Sequence, residues 1–100
     1  MYERWRDEVA VEWAKQVKAR DNYICQLCGK YNIPLNSHHL NSWDCFENQR
    51  YDLNNGITLC VRDHELFHHI YGRGKNTRFQ FLQFKKSMKI FRAENEKLIK

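Results

Sequence analysis

One hundred residues, 42% of them hydrophobic and 14% aromatic, describe one small globular domain and exclude a disordered chain. No apolar run approaches the ~18–20 residues that a membrane span needs, so no membrane-spanning segment and no membrane partner are expected. Seventeen basic against twelve acidic residues leave a net charge of +5, a modest excess that suits a polyanionic partner without requiring one.

Residues 3–20 are expected to form a helix, because Trp5, Val9, Trp13 and Val17 recur every fourth position with Ala10 and Ala14 beside them. Asp21-Asn22 ends that pattern and leads into Cys25-Gln26-Leu27-Cys28-Gly29-Lys30, which has the form of a zinc knuckle. Gly29 supplies the positive φ of its tight turn. Residues 35–40 and 56–60 are expected to pair as an antiparallel hairpin. The connection between them is long for so small a domain, a feature of functional loops, with Trp43, Phe46, Tyr51 and Leu53 as its expected anchors. A short helix should follow over 62–71, stopped by Gly72. Asn76-Thr77 offers a cap for a last helix over 77–98, whose apolar stripe is Phe81, Phe84, Met88, Phe91 and Leu98. Neither a repeat nor a linker divides the chain, so the expected organisation is one domain over 1–100, with a core at 21–76 between two flanking helices.

A chain of this size buries a limited core and often leans on a metal for stability. Four cysteines and five histidines could provide that support. The N-terminus lacks the apolar run of a secretory signal, so a reducing cytoplasm is expected, where Cys25-x2-Cys28 reads as metal or redox chemistry rather than a disulfide. The redox reading fits poorly, since no βαβ pattern surrounds the pair. Cys25, Cys28 and Cys60 supply three sulfurs for a closed structural zinc site.

Imidazoles suit a more open metal site, which leaves one histidine over as a base. His64 and His68 are four apart and share one helix face, with about 5–6 Å between β-carbons. His38 and His39 are neighbours on a strand and point to opposite sides. They cannot both reach one ion. His69 is expected to be a surface residue.

The order Cys25-x2-Cys28, His38-His39, Asn55, Cys60, His64-x3-His68 resembles the HNH, or ββα-metal (His-Me finger), endonuclease family, and most of all its colicin-type, phage-borne and homing-type members. Residues 17–23 before the knuckle, 51–60 and 67–76 share the likeness, which extends over about 13–84. It implies an α+β fold: a small ββα-metal domain with a zinc knuckle, flanked by an N-terminal and a C-terminal helix. It implies hydrolysis of DNA phosphodiester bonds, by nicking or double-strand cleavage. His39 would be the general base, Asn55 would either hold the loop and so His39 in place or, as in some branches of the family, contact the metal, and His38, His64 and His68 would bind one catalytic divalent ion, Mg2+, Mn2+, Ni2+ or Zn2+.

The family's usual fourth zinc ligand is a cysteine three residues after the third. Here that position is Asp63, which can bind zinc through oxygen more weakly than a thiolate does. Cys45 is its rival, and a three-ligand or empty site remains open. Arg50, Arg62, Arg73, Lys75 and Arg78 flank the histidines and would contact the backbone of double-stranded DNA with low sequence specificity. Phage-packaging proteins or a second copy are further expected partners, and the host cytoplasm is the location if the chain is phage-encoded. The alternative is a non-catalytic, zinc-containing nucleic-acid-binding or phage-packaging accessory module.

Overall fold

The computed structural model describes residues 7–99, with side chains described to residue 94. Its elements are α1 (Glu8–Arg20), β1 (Leu35–His39), two single-turn 3-10 helices (Glu47–Gln49 and Leu53–Asn55), β2 (Gly56–Cys60), α2 (Val61–Tyr71) and α3 (Arg78–Ile99). The fold is α+β, built on a two-stranded antiparallel sheet.

Asp7 starts α1 by accepting hydrogen bonds from the amides of Val9 and Ala10, which satisfies amides that have no partner in the first turn. The helix therefore begins at Glu8 rather than at residue 3, and the expected contribution of Trp5 lies outside the described residues. Its buried stripe is Ala10, Trp13 and Val17. Val9, expected in that stripe, is 56% exposed, because the covered face runs through positions 10, 13 and 17 instead.

β1 and β2 pair with Leu35 opposite Cys60, Ser37 opposite Thr58 and His39 opposite Gly56. Alternation along each strand then sorts the side chains between two layers. Towards α1, the Ser37 hydroxyl donates to Ala14 O at 2.7 Å and the Thr58 hydroxyl to Val17 O at 3.4 Å. Gly56 sits on this side because nothing larger fits: a β-carbon there would lie 2.5 Å from Val17 Cγ2 and 2.6 Å from the Trp13 ring. Towards α2 and α3, the core is made of Leu40, Leu59, Phe67, Phe81 and Phe84 together with Cys25 and Cys60. Full burial of each large side chain contributes about 1.5–3 kcal/mol.

Gly72, at φ 86°, ends α2 with its amide on His68 O. Thr77 and Gln80 form a reciprocal cap at the start of α3: the Thr77 hydroxyl accepts from the Gln80 amide at 3.2 Å, and the Gln80 side chain accepts from the Thr77 amide at 3.1 Å. Phe81 and Phe84 are buried, but Phe91 is 58% exposed, so the expected phenylalanine stripe leaves the core after Met88. The position of the Leu98 side chain lies outside the described residues.

The 41–54 loop is held in part as expected: Trp43 and Phe46 are half-buried, and the Trp43 ring meets that of His39 edge-on with centroids 5.5 Å apart, but Tyr51 and Leu53 are exposed and polar ties do the rest. Buried Asn55 accepts from the Asn41 amide at 2.9 Å and donates to Asn41 O at 2.9 Å and Gln49 O at 3.2 Å. No described helix is long and apolar enough to cross a membrane.

Candidate metal centres

Two groups of ligand-type side chains converge on the β2–α2 junction. Cys25, Cys28, Cys60 and Asp63 form one, and His38, His64 and His68 the other. In each, one donor atom per residue lies within 4.8 Å of all the others. Each group could hold a metal ion.

The thiolate group is assembled from the knuckle and the start of α2. The knuckle is closed by hydrogen bonds from the Cys25 amide to Lys30 O at 2.9 Å and from the Gly29 amide to Cys25 O at 2.8 Å, with Gly29 at φ 77°. The amide of Gln26 reaches Thr58 O at 2.9 Å and fastens the turn to β2. Cys60 caps α2, accepting from the Asp63 amide at 3.4 Å, and Cys25 accepts from the Cys28 amide at 3.5 Å. Such N–H···S bonds favour the charged thiolate.

Cys28 Sγ lies 3.9 Å from Cys60 Sγ, and the Cys25 thiol donates to Asp63 Oδ2 at 3.4 Å. Thiolates ~2.3 Å from one tetrahedral ion stand about 3.8 Å apart. The spacing fits one ion. Two irons bridged by sulfide would need the ligand pairs spread further.

Asp63 is only 2% exposed. Burial pushes its carboxyl up, but the Cys60 and Cys25 thiols and the Arg92 guanidinium hold it, on balance, below the usual carboxylate range. Burial pushes the Cys60 thiol up to about 12, against the lowering effect of the Asp63 amide, and raises Cys28 as well. A metal entering here displaces protons from these thiols. Cys45, the rival fourth ligand, is exposed in the 41–54 loop and takes no part in the cluster.

Arg92 was not expected at this centre. It donates to Leu27 O at 2.6 Å and to both Asp63 oxygens, at 3.2 and 3.3 Å. Nothing in the sequence near Arg92 signals a partner 29 residues away.

In the histidine group, buried His38 comes from the α2-facing side of β1 and the other two from one face of α2. His64 Nε2 lies 2.9 Å from His68 Nε2 and 3.2 Å from His38 Nδ1, against about 3.4 Å between nitrogens on one tetrahedral zinc. His68 Nδ1–H donates to Gly72 O at 2.8 Å, which turns the lone pair of Nε2 towards the cluster. Asn36 holds the outer side of His64, 3.0 Å from Nδ1, and was likewise missed by sequence reasoning. A cavity of about 200 Å³ opens beside the three rings, bordered by His39, Trp43 and Arg73 among others.

His39 faces the other layer. Its Nε2–H donates to Arg50 O at 2.8 Å, and its ring stacks on Trp13 with centroids 3.8 Å apart. Asn55 reaches it only indirectly, through the loop that carries Arg50.

The five expected DNA-contacting cations are scattered. Arg50 donates to Trp43 O at 2.8 Å and lies over that ring, 4.7 Å from its centroid. Arg78 donates to Asn54 O at 2.7 Å, and the Lys75 amide donates to Asp44. Arg62 borders the thiolate group instead. Only Arg73, paired with Glu65, borders the histidine cavity.

No family model and no solved structure matches the chain. Among curated proteins, Anaredoxin from Nostoc sp. (strain PCC 7120 / SAG 25.82 / UTEX 2576) is 37% identical over 54 residues, 54% of this chain and 68% of the relative. The chain belongs to the anaredoxin family. This relationship corrects the functional expectation. Anaredoxin carries the name of a redoxin and not of a nuclease, so the expected DNA-hydrolysing endonuclease, its classification as a hydrolase and the DNA-binding, phage-type description are withdrawn. The general-base role of His39 goes with them.

Proposed function

We propose that this anaredoxin-family chain is a metal-binding domain whose thiolate centre holds a single ion and, with iron in it, carries one electron at a time. The observation that carries the reading is the compactness of Cys25, Cys28, Cys60 and Asp63, whose donor atoms all lie within 4.8 Å of one another. The redoxin name of the relative supports the electron-carrying part. A tetrahedral site rich in thiolate suits zinc or iron, and iron there supplies the one-electron couple.

The residues of the chain provide the rest. Cys25 and Cys60 are buried and Cys28 half-buried, which keeps water from most of the centre and leaves one sulfur near the surface as a route for an electron. Arg92 places a positive charge against Asp63, offsetting part of the excess negative charge of three thiolates and a carboxylate.

His38, His64 and His68 are proposed as a second, mononuclear site, supported by the orientation that Gly72 and Asn36 impose on the rings. The strand–strand–helix unit around them is proposed to be a ββα-metal scaffold of the HNH kind. That is a statement about architecture and not about nuclease activity.

Protein from iron-supplemented and zinc-supplemented cultures should be compared for metal content, visible absorption and reversible one-electron reduction. The expected result is about one thiolate-bound iron per chain, with a sulfur-to-iron absorption band that bleaches on reduction and disappears in Cys25→Ser. Uptake of zinc alone, with no couple under any loading, would remove the electron-carrying half.

A further inference from the structure

The distal half of α3 has few reasons to stay where it is. After Phe84, Met88 and Arg92 alone are even partly buried among the described side chains, while Ile90 and Phe91 are exposed. Arg92 nevertheless makes three hydrogen bonds inward. One goes to Leu27 O, within the knuckle between Cys25 and Cys28, and two go to the carboxylate of Asp63. The guanidinium thus spans the two chain segments that supply the thiolate ligands. Its planar fork divides between them: Nη1 is on Leu27 O, and Nη2 lies between the two oxygens of the one ligand that is not a sulfur. A carboxylate can rotate and offer either oxygen, whereas one shared by Nη2, with the planar guanidinium anchored through Nη1 on Leu27 O, is restrained in position.

We infer that Arg92 is a latch between α3 and the thiolate centre: it positions Asp63 as a ligand, and metal loading in turn fastens the distal half of α3 to the knuckle. The inference rests on the metal reading of that centre. Its thermodynamic content is reciprocal. Whatever Arg92 contributes to holding the ion, the ion contributes to holding α3. The role of Arg92 is positioning, since it touches a ligand and not the metal. Lysine keeps the charge but cannot make the fork, and cysteine at position 63 removes the group that the fork grips.

The test uses the full chain and cobalt(II), whose absorption reports both binding and donor set. Cobalt affinity is measured by chelator competition for wild type, Arg92→Ala, Arg92→Lys, Asp63→Cys and the Asp63→Cys/Arg92→Ala double variant. Hydrogen exchange of amides 85–94 is followed with and without cobalt. Loss of an outer partner of a metal ligand weakens affinity by about 10–100-fold. That loss is expected for Arg92→Ala, with partial recovery in Arg92→Lys. In the Asp63→Cys background the same replacement should change affinity by less than about threefold, since the two effects share one partner. Cobalt should slow exchange across 85–94 in wild type and not in Arg92→Ala. Equal losses in both backgrounds, or exchange that ignores cobalt, would overturn the latch while leaving the metal centre standing. A folded wild type that takes up no more cobalt than Cys25→Ser would instead bring down the metal reading, and the latch with it.

Discussion

The His39 ring lies flat against the Trp13 indole, centroids 3.8 Å apart and planes 12° apart, while the indole N–H donates to Asp52 O at 2.9 Å. One tryptophan therefore ties α1 to the end of β1 and to the loop before β2. It is 4% exposed, and its removal would leave a cavity beneath the sheet. Trp13→Ala should cost about 3–5 kcal/mol, read as a large fall in melting temperature. A change of only a degree or two would mean that His39 and the loop are held by other contacts.

Gly56 tests the same contact from the opposite side. A methyl group there meets Val17 and Trp13 well inside van der Waals distance, and neither can move without disturbing the packing of α1 on the sheet. Gly56→Ala should destabilise by about 1–3 kcal/mol with the thiolate ligands still in place. Chemical denaturation measures the loss, and metal content per folded chain should stay constant.

The acid limb of the stability profile should depend on Asp21. Burial pushes its carboxyl up, but hydrogen bonds from Arg20 and from the Thr58 amide hold it, on balance, below its ordinary value. The folded pKa is thus depressed. Its stabilising contribution is fully present above the unfolded value near ~3.9 and is lost as pH falls through the folded value. Asp21→Asn should remove that part of the slope below about pH 4. An unchanged acid limb would show that Asp21 titrates alike in both states.

Metal uptake should follow pH in the opposite sense to proton occupancy. The Cys28 and Cys60 thiols are raised by burial, so binding must expel their protons. Apparent zinc affinity should climb by about tenfold per pH unit for each proton released. Competition titrations at several pH values, with proton release measured in parallel, give the slope. A flat profile would place the ion elsewhere.

Asp63 and Cys45 divide cleanly. Asp63→Ala should lower zinc content and melting temperature together, and Asp63→Cys should raise both, because a thiolate replaces a harder donor. Cys45 is exposed, and Cys45→Ser should alter neither. Zinc loss in Cys45→Ser with Asp63→Ala intact would reverse the assignment.

Local chemistry explains what could be read from the chain and what could not. The knuckle turn and the end of α2 announce themselves through Gly29 and Gly72, effects that act within a few residues. The helical spacing of His64 and His68 likewise puts them on one face without tertiary information. Val9 and Phe91 were misplaced because periodicity locates an apolar stripe but not which neighbouring element covers it. Arg92 and Asn36 were invisible, since their partners Asp63 and His64 lie 29 and 28 residues away. The endonuclease expectation erred in kind: a ligand pattern specifies a metal-holding scaffold, and one scaffold hosts many activities.

Asp63 and His64 are consecutive in sequence yet belong to different ligand groups. Successive residues on a helix are turned by about 100°, and that single step aims one side chain at the sulfurs and the next at the imidazoles. The segment from Cys60 to His68 therefore acts as a gauge whose length matters more than its composition. Exposed His69 can be exchanged freely. One residue inserted or deleted after Cys60 would turn the histidines off His38 and detach Asp63 from the cysteines in the same event. Descendants of this chain can lose either centre by point substitution, but a change of length here costs them both.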